Sequence, residues 1–277
     1  MVDFAKEMEK NKLTVAGGSA LGKLGEIPDF LKADFGKNTG MERVEQSDIL
    51  LPRLSVCQAL SPQKRKSHST YIEGLQEGML FNTVTQQIYG EEIEIIPLFF
   101  FKNRIKFNPI DLGGGIDCQS QNGIDGGRLC HNCMSCQWQI WGNGASPNSE
   151  NANDPPKCTM YHNFMSFIPS EMVPVAITYK ATGLKLSKQL LAQQRLSRLP
   201  MYSRVFAVKV VTMKDGDNEW YEKKIIPIRY VDEDMYKEME RNFEALKSMS
   251  IHVDTTGESE DDSFNEGYNS TNPPPEM

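Results

Sequence analysis

Five of the six cysteines lie between Cys118 and Cys158. Cys130, Cys133 and Cys136 are each separated by two residues, and Cys118 and Cys158 flank them. A two-residue spacing lets successive thiolates turn onto one metal ion. Tetrahedral Zn²⁺ takes four such ligands, so one of the five sulfurs is spare. Cys133 and Cys136 are the favoured central pair, because Trp138 and Trp141 follow and can cover a metal from water. Cys118 and Cys158 then close the site. Cys130 is the alternative ligand and His131 a weaker one. The surrounding sequence has glycines at 113–115 and 126–127 and the polar run 146–156. It cannot bury a core, so a structural Zn²⁺ is expected to staple it. Cys57 stands apart in an apolar run and reads as a buried thiol.

Strands must flank this insertion. The stretch 91–107, EEIEIIPLFFFKNRIKF, carries the strongest strand signal. Its alternation places Phe100, Lys102, Arg104 and Lys106 on one face. Residues 49–60 predict an edge strand with an early proline. Residues 78–90, 158–180 and 201–231 predict hairpins, the last turning at Asp215–Asn218. Residues 182–199 predict a helix capped by Thr182. Residues 232–249 predict a second helix, capped by Asp232 and striped by Met235, Met239, Phe243 and Leu246. A further short helix is expected at 27–36. Strands linked by hairpins, with no regular strand–helix alternation and no repeat, indicate a mainly β (α+β) chain. The expected form is an antiparallel curled sheet or OB-like barrel, with a zinc-stapled insertion and a C-terminal helix.

Charge is unevenly placed. The chain of 277 residues has net charge −7, and seven acids with no base fall in 251–277. The remaining 30 acids balance 30 bases, so the body is neutral and the excess sits in the tail. Within 183–224 there are nine bases against four acids, interleaved with Tyr202, Phe206, Trp220 and Tyr221. Rings among cations suit a single-stranded nucleic acid, whose bases stack and whose phosphates need neutralising. The candidate contacts are Phe100, Lys102, Arg104, Lys106, Trp138, Lys185, Lys188, Tyr202, Arg204, Trp220 and Lys223. Other chemistry finds little support. No apolar run reaches membrane-spanning length, and no secretory leader pattern opens the chain. No GxSxG, HExxH or phosphate-loop motif occurs, so no enzyme is expected.

Several stretches together resemble a family of phage-encoded proteins, some of them regarded as single-stranded-DNA-binding. These are residues 50–62, 71–90 and 93–107, the cysteine cluster ending in PPKC at 155–158, GLKLSKQL at 183–190, and PMYSRVFAV at 200–208. The resemblance covers about 47–231. It implies a CxxC followed by Trp-Gly, matched here by Cys133, Cys136 and Trp141-Gly142. The extra Cys130 departs from that pattern. An OB-type body with an acidic tail is similar to phage and bacterial single-strand binders generally.

The resulting expectation is a flexible arm at 1–46, an OB-like domain at 47–248 with a zinc-binding insertion at 108–158, and a disordered acidic tail at 249–277. Its function would be non-sequence-specific binding of single-stranded DNA in phage replication or recombination. It would act in the cytoplasm of an infected bacterial host, with replication or recombination proteins meeting the tail. The alternative is a virion structural or assembly protein, or an interaction module with a structural zinc loop.

Overall fold

A computed structural model describes residues 39–40, 42–44, 50–108, 115–142, 155–216 and 218–247. The expected short helix at 27–36 and the acidic tail lie outside these residues, as does almost all of the arm. Among the described residues, nine strands and two helices follow in chain order. They are β1 (Leu54–Val56), β2 (Leu80–Asn82), β3 (Ile88–Gly90), β4 (Glu92–Phe107), β5 (Ile116–Ser120), β6 (Cys158–Ile168), β7 (Val173–Tyr179), α1 (Leu184–Ser197), β8 (Arg204–Asp215), β9 (Asn218–Tyr230) and α2 (Glu233–Leu246). The class is mainly β, with antiparallel sheets and two helices.

β4 is the spine. It pairs β6 along one edge, from Ile96 to Lys106. On the other edge it pairs β8 over Glu92–Ile95 and β5 over Arg104–Phe107. The sheet order is β7-β6-β4-β8-β9, with β5 added on β4; β1-β2-β3 forms a second, smaller sheet. The apolar run Ile95-Ile96-Pro97-Leu98 is buried throughout because both faces of β4 are covered. On one face Ile95 joins Phe164, Ile177, Phe206 and Leu190 of α1. On the other Ile96 and Leu98 join Met165, Phe167, Val205 and Met239 of α2. The ladder shifts register between Pro97 and Phe99. A bulge there accommodates a proline that has no N–H to donate.

The predicted hairpins and the long strand are present. The first helix begins later than expected: Thr182 belongs to a 3-10 turn at Ala181–Gly183, and Gly183 is the N-cap, with no side-chain hydrogen bond. The second helix is capped as predicted, the Asp232 side chain accepting from Met235 N.

The main sheet curls but does not close into an OB-like barrel, because no ladder joins β7 to β9. Side chains span that gap instead. Tyr179 Oη, on β7, donates to Lys223 O at 2.8 Å. Gln58, just after β1, meets β9 with both ends of its amide. Its Oε1 accepts from Tyr221 N at 2.9 Å and its Nε2 donates to Tyr221 O at 2.7 Å. β1 reaches the other end of the sheet through Ala176 N, which donates to Pro52 O at 2.8 Å.

One buried polar contact ties α1 to the sheet. His162 Nδ1 on β6 lies 2.6 Å from Ser187 Oγ, and the Phe100 ring meets His162 edge-on at 5.0 Å. Burial lowers the His162 pKa to about 4, and the charges of Lys102 and Lys188 reinforce this. The unfolded chain takes up that proton near pH 6.5. Stability from this group is therefore present above pH 6.5 and falls as pH drops toward 4. Urea unfolding followed across that window is expected to show a smaller acid loss in His162→Gln than in the wild type. Equal acid slopes in the two proteins would contradict the assignment.

Candidate metal centre and nucleic-acid interface

The cysteines converge because strand register brings two of them to one point on β4. Cys118 on β5 and Cys158 on β6 are both registered against Lys106. The intervening loop returns between them. Gly126 N donates to His131 O, and Cys133 N donates to Ile124 O at 2.8 Å. Asn132 caps the following 3-10 turn, Cys133–Ser135, by accepting from Met134 N. Cys118, Cys133 and Cys158 are free thiols, whereas Cys130 and Cys136 are joined in a disulfide. Burial pushes the Cys158 thiol up to about 11; Arg104 opposes the rise, and the Cys133 and Cys118 sulfurs add to it.

As they stand, no three or more His, Cys, Asp or Glu side chains among the described residues are arranged to hold a metal ion. The disulfide withdraws Cys136 and its alternative Cys130 together. Reduction would return both sulfurs to a loop that already holds three thiols. That all-sulfur donor set is the kind zinc selects. His131 is exposed.

Beside the cysteines lies a buried ion pair. A register shift between Lys106 and Phe107 leaves Asp117 as the extra residue of β5. Its carboxylate pairs with Lys106 and Arg128. The Lys106 hydrogen bond is the first cause holding the Asp117 carboxyl below its usual range. Lys106 Nζ also lies 4.9 Å from the centre of the half-buried Trp138 ring. Lys106 and Trp138 therefore serve each other and the loop, and Lys106 is 7 % exposed.

The other predicted contacts separate into three environments. Phe100 packs on the core between His162 and Phe164. Tyr202 is buried against Tyr236 and Phe243 of α2, at 5.2 and 5.6 Å between ring centres. Arg204 donates to Gln194 of α1 and stacks over Phe206. Arg104 is half-buried beside Cys158. Trp220 and Lys223 line a cleft against β1. Lys102, Lys185 and Lys188 are exposed and make no ion pair with any described residue. Lys102 and Lys188 both act on His162, so β4 and α1 bring them to one place. Lys185, Lys188 and Arg195 share one stripe of α1, a helix without a single acid. One groove carrying both cations and rings was expected; the exposed cations instead lie on α1 and at Lys102, while the rings pack elsewhere.

A family model described as Pam3 phage gp34-like protein matches residues 17–252. The chain belongs to this phage protein family. The match spans the described sheets, both helices and the cysteine loop, and sets the chain in the context of a phage-infected host. No curated protein and no solved structure matches it. No helix among the described residues is long and apolar enough to cross a membrane.

Sequence reasoning missed Arg53, Thr178, Lys180 and Glu222, which line the same cleft as Trp220. Arg53, a cation interrupting an apolar run, was the available signal.

The cysteine loop depends on close backbone approach. A Cβ on Gly126 would stand 1.6 Å from Cys130 O, and one on Gly127 would stand 2.3 Å from Gln119 O. Gly126→Ala is therefore expected to open the loop while sparing the sheet. Limited proteolysis should cut within 116–142 much faster in the variant, with the main melting transition shifted by only a few degrees. Wild-type resistance in the loop would contradict this packing.

Proposed function

We propose that this phage protein coats single-stranded DNA during replication or recombination, binding without sequence preference. The observation that carries the reading is the exposed stripe of Lys102, Lys185, Lys188 and Arg195, with no acid on α1 and no ion pair to a described residue. Phosphates need such unneutralised cations, and the neutral body leaves them unopposed locally. The curled sheet, spanned at its open side by side chains, supports an OB-like platform. The acidic tail at 249–277 would compete for the stripe and be released to replication or recombination proteins once DNA fills it. The site of action would be the cytoplasm of the infected bacterial host. Catalysis has no part in this reading.

The cysteine loop would be structural. Cys118, Cys133 and Cys158 supply three thiolates to Zn²⁺, and Cys136, or Cys130 in its place, supplies the fourth once the disulfide is reduced. Metal would then fix the loop that seats Trp138 on Lys106. The second reading, a virion or assembly protein that docks through this loop, is favoured by its exposed apolar residues Ile124, Met134 and Ile140.

Fluorescence anisotropy with labelled oligo-dT tests the first reading. Binding should be tight at low salt, much weaker for duplex, and linear in log affinity against log salt. Charge reversal in Lys185→Glu/Lys188→Glu should weaken it at least tenfold and reduce the salt slope by about 1.4. Absence of binding to any single strand at low salt would turn the argument to the docking reading. Separately, protein purified under reducing conditions and without chelator should carry about one zinc per chain. Cys158→Ser should lose it. Metal well below stoichiometry in the wild type would end the zinc proposal.

A further inference from the structure

β1, its following loop and β9 enclose a cleft of ≈ 330 Å³, floored in part by the end of β7. That is the lower end of small-ligand pocket sizes, about 300–1,000 Å³, with room for one compact ligand. Its walls are fixed on two sides. The Gln58 amide grips the backbone of Tyr221. Arg53 N donates to Thr83 Oγ1 at 3.0 Å. The cleft is thus held open by hydrogen bonds between distant segments.

Three features describe what would fit. First, Trp220 lines the cleft and is 9 % exposed, and its indole N–H is buried without an acceptor among the described residues. That N–H is closed off from the cleft, so what the cleft meets of Trp220 is its remaining exposed surface. Second, the charged lining is Arg53, Lys180 and Lys223 against Glu219 and Glu222. Lys223 is paired with Glu222 at 3.9 Å and Glu219 with Lys214, so Arg53 and Lys180 carry the positive charge of the lining, suited to a phosphodiester and poorly suited to a di- or triphosphate. Third, the walls present both donors and acceptors beside an aromatic ring, which matches the mixed edge and flat face of a nucleobase.

The cleft also adjoins the cationic stripe. A Cβ on Gly183, the N-cap of α1, would lie 2.5 Å from Glu222 Oε2. Lys185, the first cation of the stripe, is two residues further on. A chain laid along α1 therefore arrives at the cleft from the helix N-terminus.

We propose that this cleft receives one nucleotide of a bound single strand, its base against the accessible part of Trp220 and its phosphate facing Arg53 and Lys180. The proposal rests on the single-strand reading above and gives it a fixed point. One nucleotide is lifted from the stack into the cleft, and its neighbours follow Lys185, Lys188 and Arg195. Register along the strand is set at the cleft, and electrostatic affinity along the helix.

The chain has three tryptophans, so Trp220 can be isolated as a reporter in Trp138→Phe/Trp141→Phe. Titration with dTMP at millimolar concentration and with oligo-dT should quench it in both cases. Lys180→Glu should weaken dTMP binding at least tenfold. Should the double variant fold poorly, the difference in quenching between wild type and Trp220→Phe supplies the same readout. Quenching of Trp220 by both ligands, weakened by Lys180→Glu, upholds the proposal. Salt-sensitive oligo-dT binding with Trp220 emission unchanged overturns it and leaves the single-strand reading intact. Response to dTMP without any oligo-dT binding keeps a nucleotide pocket and overturns its place in a strand. Silence to both ligands at low salt overturns both.

Discussion

Burial of β4 on both faces is the constraint from which the rest of the architecture follows. A strand covered above and below can carry few charges over its buried length, and Ile95 to Leu98 carry none. It must also satisfy its backbone on two edges, and three other strands share that work. Its charged residues therefore flank that run, Glu92 and Glu94 before it and Lys102, Arg104 and Lys106 after it. In that later stretch, buried polarity is resolved internally. Asn163 donates to Asn103 and accepts from Thr178, linking β4, β6 and β7 in one chain of hydrogen bonds.

The fold was legible where local signals and tertiary packing agreed. The hairpin 201–231 has an Asp-Gly turn between alternating runs, and α2 has a cap, an acidic first turn and a stripe at helical spacing. The roles of individual side chains were less legible, because these depend on partners distant in sequence. Strict alternation along 91–107 places Lys106 on a solvent row, but the extra residue Asp117 on β5 draws it into a buried pair. Tyr202 reads as a ring among bases until α2, more than thirty residues on, covers it with Tyr236 and Phe243. The spare cysteine was visible as a count; that Cys130 takes Cys136 as its partner was not, since spacing alone permits several pairings.

The molecule thus separates two tasks that the sequence interleaves. Of the predicted contacts, the exposed cations lie on α1 and at Lys102 of β4. The aromatic groups that seemed to accompany them are distributed among the core, the cysteine loop and a cleft. Lys106 over Trp138 and Lys223 over Tyr179 show the same economy: a cation that looks available in sequence is seated on a ring in space.

The side-chain closure between β7 and β9 has a consequence for how copies of the chain meet. An open sheet ends in strands whose free N–H and C=O groups invite another chain to pair. At Tyr221 and Lys223 those groups on β9 are already taken, by Gln58 and Tyr179. At high local concentration an uncovered edge would fuse neighbouring copies into a growing sheet. Here the edge is blunted at those two positions by an amide and a phenol, which disfavours edge-to-edge pairing between copies of the chain.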